Sequence, residues 1–240
     1  EFMKMMAGAQ PEKALKLLFD TGLYKQVFQI PEGWSEISMD QQSKYHNLRL
    51  QDHILKVVSE VNRLSREEDL PKEERMMLNL SAMFHDFGKM NPDYQSPNPN
   101  DPSRLQYLQH EEGSADFAKQ VMTRMAFPED IKDFVQTVVG YHMYPMKFDQ
   151  KGMSKTNRRK QFGKFLRDVG PLYNQIMRMR QADILGKDYE DPSMAEEHIT
   201  RHRDVGTQLE DYRQQATIGD RFLFEKPLLD GNEIMGLVYS

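Results

Sequence analysis

The sequence predicts an all-α protein, a helical bundle with flanking helices. Apolar residues recur three and four positions apart through most of the chain, proline and acidic residues open these stretches, and glycine closes several of them. Strand-type alternation never runs beyond a few residues.

Taken in order, PEKALKLLFDTGLYKQVF opens on Pro11 and sets Leu15, Leu18 and Phe19 on one face before Gly22 breaks the pattern. LRLQDHILKVVSEVNRL carries Leu50, Ile54, Val57, Val58, Val61 and Leu64 as a single stripe. PKEERMMLNLSAMFHDFG starts with proline and acids and ends in glycine, the asymmetry expected of a helix. KMNPDYQSPNPNDPSRLQYLQ follows, where Pro92, Pro97, Pro99 and Pro102 predict a long irregular loop of the kind that often carries function. Helical periodicity then resumes in HEEGSADFAKQVMTRMAF, PEDIKDFVQTVVGYHMY, RRKQFGKFLRDVGPLYNQIMRMRQADILG and DPSMAEEHITRHRDVGTQLEDYRQQ. A helical segment over 1–45 and a tail over 216–240, packed on the bundle, are expected to flank a central unit over 46–215. Glu1 and Phe2, ahead of Met3, read as a cloning remnant outside the fold.

Composition narrows the chemistry. The chain has 38% hydrophobic and 29% charged residues, and no apolar run nears the roughly 20 residues of a membrane span. EFMKMMAGAQ lacks a signal-peptide core, so a soluble cytoplasmic protein is expected. The absence of cysteine removes disulfides, thiolate metal sites and cysteine nucleophiles. The 17 methionines suit irregular gaps between helices. A net charge of -5 argues against indiscriminate adhesion to nucleic acid.

There are seven histidines: His46, His53, His85, His110, His142, His198 and His202. His53 interrupts an apolar stripe, His85 and Asp86 end an apolar helix, His110 opens a helix, and His142 ends FVQTVVGYH. Polar side chains on faces that should be buried are costly without a partner. A metal is the economical one, and imidazole with carboxylate suits Mn, Fe, Co, Ni, Zn or Mg. The two oxygens of Asp86 can bridge a pair of ions, the arrangement used for phosphate-ester hydrolysis. Asp183, amid Met177, Ala182, Ile184 and Leu185, also needs a cation; an ion pair with Arg178 or Arg180 is the alternative. Lys89, just past Gly88, is placed to reach over the metals as a phosphate anchor. KGMSKTNRRKQFGKFLR concentrates Lys151, Lys155, Arg158, Arg159, Lys160, Lys164 and Arg167, either as a solvated helix start or as a phosphate grip. Tyr94, Tyr107, Tyr141 and Tyr144 are candidates to stack on a base.

The ordered set His53, His85-Asp86, His110, His142 and Asp183 resembles the HD superfamily of metal-dependent phosphohydrolases in its six-ligand, two-metal form. HDFGK matches that family's His-Asp-x-Gly-Lys core, and QHEEGSADFA its His-Glu helix start. More narrowly, ALKLLFDTGLYKQVFQIPEG, the stretch around Asp183 and PLLDGNEIMGL look like the C-terminal body of bacterial tRNA nucleotidyltransferases and poly(A) polymerases that carry an HD domain. Their polymerase head, with its Gly-Ser motif and paired aspartates, has no counterpart in these residues, so polymerase activity is not expected of them.

The resemblance implies an HD phosphohydrolase domain over 46–215. It implies that His53, His85, Asp86 and Asp183 hold one ion, that Asp86, His110 and His142 hold the other, and that Asp86 and Lys89 are catalytic. Asp52 or Glu111 would orient ligands or shuttle protons. Lys89, Arg158, Arg159 and Lys160 are the expected substrate contacts. The implied substrate is a 2',3'-cyclic or terminal phosphate ester of a nucleotide or RNA, with tRNA as a further partner. The alternatives are a nucleotidase or dNTP phosphohydrolase, and a tRNA-binding module with a vestigial metal site.

Overall fold

A computed structural model describes residues 1–41, 48–149, 153–189 and 191–219. His46, Lys151 and the tail after 219 lie outside the described residues. The protein is helical, as the periodicity predicts. Three short N-terminal helices, α1 (Phe2–Met6), α2 (Pro11–Asp20) and α3 (Tyr24–Phe28), precede the longer α4 (Leu50–Glu67) and α5 (Lys72–Phe84). After these come α6 (His110–Arg124), α7 (Glu129–Tyr141), α8 (Lys155–Val169), α9 (Tyr173–Leu185) and α10 (Ser193–Gly219).

The stripe read on α4 is the buried one: Leu50, Ile54, Val57, Val58 and Val61 are all fully inaccessible. Each such side chain stabilises the fold by about 1.5–3 kcal/mol relative to exposure. The second half of α5 is buried on every side, from Leu78 through Met90, so this helix and the turn after it form the middle of the bundle. The N-terminal helices share that core. Phe28 meets Phe84 and Phe87 at ring separations of 5.7 Å each. Phe2, read in the sequence as a remnant, lies in α1 with its ring edge-on to Phe28 at 5.8 Å.

The proline-rich segment departs from expectation. It holds an antiparallel hairpin, β1 (Gln95–Asn98) and β2 (Asp101–Tyr107), which pairs Gln95 with Tyr107 and Pro97 with Leu105. A two-stranded ribbon consists only of edge strands, where proline is tolerated, and its register slips between Pro97 and Asn98. Gly88 also differs in its reason. A Cβ there would lie 2.2 Å from the His110 carbonyl oxygen and 2.8 Å from the Ser114 nitrogen, so glycine is required by the close passage of α6. Gly88 N–H donates to Ser114 Oγ across that contact at 2.8 Å.

Candidate metal centre

Five helices deliver the predicted ligands to one place. His53 sits in the first turn of α4, Asp183 in the last turn of α9, His85 and His142 at the ends of α5 and α7, and His110 at the start of α6. All are buried, with Asp86 only 2% exposed. His110 Nε2 lies 3.0 Å and His142 Nε2 4.0 Å from Asp86 Oδ1, while His53 Nε2 and His85 Nε2 lie 3.3 and 3.4 Å from Oδ2. Asp183 Oδ1 completes the group, 3.3 Å from His53 Nε2 and 4.0 Å from His85 Nε2.

The backbone sets how the imidazoles face. Nδ1 of His85, His110 and His142 is 2.7 Å from the carbonyl of Ala82, Tyr107 and Val139, and Nδ1 of His53 is 3.2 Å from that of Gly186. A carbonyl only accepts, so each Nδ1 carries the proton and each Nε2 presents a lone pair inward. His53 Nε2 and His85 Nε2 thus face each other at 3.2 Å, and Nε2 of His110 and of His142 is buried with no hydrogen-bond partner among the described residues. Converging lone pairs and carboxylate oxygens repel unless a cation stands among them. Among the described residues, His53, His85 and Asp86 form one group fit to hold an ion, and Asp86, His110 and His142 form another. This donor set, nitrogen and oxygen with second-nitrogen carbonyl anchors, fits a divalent transition metal.

Asp86 and Asp183 draw positive charge to this point, and a proton on an imidazole Nε2 competes there with a metal ion. Burial alone would raise the Asp86 carboxyl, but the neighbouring His85 and Lys89 charges hold it well below the usual range. Asp183 is likewise driven down against burial by Lys187 and Arg180. His53 is raised because Asp183 and Asp86 outweigh its burial. Burial, reinforced by His85 and His110, pushes His142 down to about 3, so it stays a neutral donor.

The ion pair weighed for Asp183 is present too: Arg180 engages Oδ2, and Lys187 Nζ is 3.2 Å from the same oxygen. Oδ1 is therefore the atom turned toward the histidines. Arg178 pairs with Glu68 instead. Lys89 Nζ donates to Asp86 Oδ2 at 2.7 Å and to Gln41 Oε1 at 2.9 Å. Glu111 Oε2 is 3.7 Å from His110 Nδ1, whereas Asp52 is bonded to Arg49 on the outer face of α4.

A cavity of about 230 Å³ opens over the centre, lined by Asp86, Lys89, His110 and Asp183 and walled in part by the hairpin. The expected basic grip is elsewhere. Arg158 and Arg159 line a different hollow, where they donate to Gln208 and Gln215 of α10, and Arg159 lies over the Tyr212 ring; Lys160 is exposed on the same helix. The cause is the phase of α8. Its apolar face, Phe162, Phe165, Leu166 and Val169, is buried in the bundle and turns these cations toward α10. Of the tyrosines, Tyr107 lines the cavity, while Tyr141 and Tyr144 pack near Phe165 and Tyr94 abuts Gly113. Sequence reading missed Gln41, Arg104, Lys187 and His198. Lys187 alone left a signal, a cation four residues after Asp183, although it lies just past the end of α9.

The fold and site thus define a mostly helical protein with buried His/Asp clusters able to hold metal ions. Residues 1–37 match the family described as "Probable RNA and SrmB- binding site of polymerase A", so in its N-terminal helices the chain is similar to poly(A) polymerase-like proteins. A search of curated proteins found no match. Among the described residues, no helix is long and apolar enough to cross a membrane.

Proposed function

We propose that the protein is a metal-dependent phosphohydrolase of the HD type, acting on a 2',3'-cyclic or terminal phosphate ester of a nucleotide or RNA end. One observation carries this reading: two ion-sized groups of donors share a single buried carboxylate, Asp86, at the floor of a cavity. A pair of divalent ions bound there supplies a nucleophilic water at neutral pH and neutralises phosphate charge.

The chain's own residues do the rest. The carbonyls of Ala82, Tyr107, Val139 and Gly186 hold the four imidazoles in one tautomer, so that no ligand has to reorient. Lys89, fixed by Gln41 and Asp86 at the cavity wall, places an ammonium beside the reacting phosphate, where charge develops. Tyr107, raised to about 12 by burial and the Asp86 charge, keeps its proton and donates to the Gln41 carbonyl at 2.8 Å, which holds Gln41 under Lys89. The match over residues 1–37 supports an RNA end over a free deoxynucleotide.

The test is hydrolysis of bis-p-nitrophenyl phosphate and of 2',3'-cAMP by purified protein with Mn, Ni or Co. Activity with at least one metal, abolished by Asp86→Ala, is expected. Inactivity with every metal would instead favour an RNA-binding module with an idle site.

A further inference from the structure

The β1–β2 hairpin does not contribute to the core. None of residues 95–107 is buried, yet both feet of the ribbon are tied to the metal centre's own backbone. At one foot, Gln95 Nε2 donates to the Lys89 carbonyl at 2.8 Å and to Ser35 Oγ at 3.2 Å. At the other, the Tyr107 carbonyl accepts from His110 Nδ1 and the Tyr107 hydroxyl donates to the Gln41 carbonyl. Hydrogen bonds to ligand-bearing segments, rather than apolar burial, set where this ribbon stands. It stands as a wall of the cavity, to which it brings Asn98, Arg104, Leu105, Gln106 and Tyr107.

That cavity has a definite chemical character. Four cations, Lys89, Arg104, Arg180 and Lys187, line it and are balanced in part by Asp86, Asp183 and the Asp101 that pairs with Arg104, which leaves a small positive excess toward an anion. Leu105, Met143 and Met146 add apolar surface. Tyr189 and His198 present a stacked ring pair, 5.5 Å between centroids and 17° between planes. Aromatic and apolar surface for a base, amides for polar edges and cations for phosphate are the elements of nucleotide recognition. The volume of about 230 Å³ lies below the usual range of ligand cavities, which leaves room for no more than one nucleotide and keeps part of it outside the cavity.

We propose that the hairpin is a nucleoside-binding arm: Asn98, Arg104 and Gln106, with the Tyr189–His198 pair, hold the base and sugar of a single nucleotide whose phosphate lies at Asp86. This rests on the phosphohydrolase reading and deepens it, by making one terminal nucleotide the unit recognised. Arg104 Nε is steadied by Asp101 Oδ2, 3.1 Å away on the same strand. Gln106 is steadied by donating to Ser96 Oγ at 3.1 Å, which leaves its amide oxygen for a ligand.

The experiment measures equilibrium binding of the non-hydrolysable phosphonate analogue of adenosine 3'-monophosphate and of inorganic phosphate to the metal-loaded full chain by calorimetry. Wild-type protein is expected to bind the nucleotide at least about tenfold more tightly than phosphate, and Arg104→Ala or Gln106→Ala to cut that ratio to about threefold or less. Thermal melting of both variants should match wild type, since the ribbon adds nothing to the core. A wild-type ratio near one, or a ratio that survives in both folded variants, overturns the proposal. Hydrolysis of bis-p-nitrophenyl phosphate and of 2',3'-cAMP by wild type is read separately. Its absence would sink the catalytic reading while the binding ratio still decides the arm.

Discussion

Metal should stabilise this protein in two separable steps. Asp86 belongs to both ligand groups, whereas His110 and His142 belong to one, and His53 and His85 to the other. Asp86→Asn therefore damages both sites, and His110→Gln damages one. An ion present at about a hundredfold over its Kd stabilises the native state by about 2.7 kcal/mol. For a chain of this length about 1 kcal/mol corresponds to roughly 2–4 °C in Tm. Full occupancy should thus raise Tm by roughly 11–22 °C over chelated protein, His110→Gln should show about half of that, and Asp86→Asn almost none. Differential scanning calorimetry after chelation and again with Mn, beside metal counting by mass spectrometry, provides the measurement. Two bound ions in wild type, one in His110→Gln and none in Asp86→Asn are expected. A full metal-induced shift in Asp86→Asn, or none in wild type, would refute the idea that the shared carboxylate organises the site.

Two further predictions concern the scaffold. Gly88→Ala forces a methyl against the α6 backbone and should destabilise by about 1–3 kcal/mol or more, displacing His110 and weakening metal binding. Gly140→Ala meets only Ala115 Cβ at 3.6 Å. It should be neutral or stabilising by up to about 1 kcal/mol in urea titrations; equal behaviour of the two variants would refute the close-passage argument. Burial, reinforced by the Arg180 charge, pushes the His202 imidazole from 6.5 down to about 4. The unfolded chain then takes up a proton first as pH falls, so stability present above pH 6.5 is lost on the way to pH 4. The loss amounts to about 2 kcal/mol by about pH 5. Urea unfolding at about pH 7.5 and about pH 5 should show His202→Gln losing about 2 kcal/mol less than wild type, and an identical pH dependence would count against that origin.

Much of the site was legible because its residues break local rules. An imidazole within the Leu50–Leu64 stripe, and a His-Asp pair ending a helix whose second half is largely apolar, are costly unless they meet a partner, and that cost is visible without coordinates. Lys89 was legible through its position after Gly88. Gln41 was not, because nothing periodic surrounds it and its burial depends on where the chain passes Lys89. The hairpin was hidden by its prolines, which count against a strand in a sheet interior but not in a two-stranded ribbon.

The amino-acid sequence by itself determined the helical class, the stripes that face inward, and the His and Asp side chains that had to find a common partner, since these follow from local periodicity and the cost of burying polar groups. Only the tertiary structure decided that Asp183 turns one oxygen to His53 and the other to Arg180 and Lys187, and that Arg158 and Arg159 face α10 instead of the cavity. Those outcomes depend on helix phase and on carbonyl anchors such as Gly186 for His53, contacts between segments far apart in the chain that no local pattern encodes.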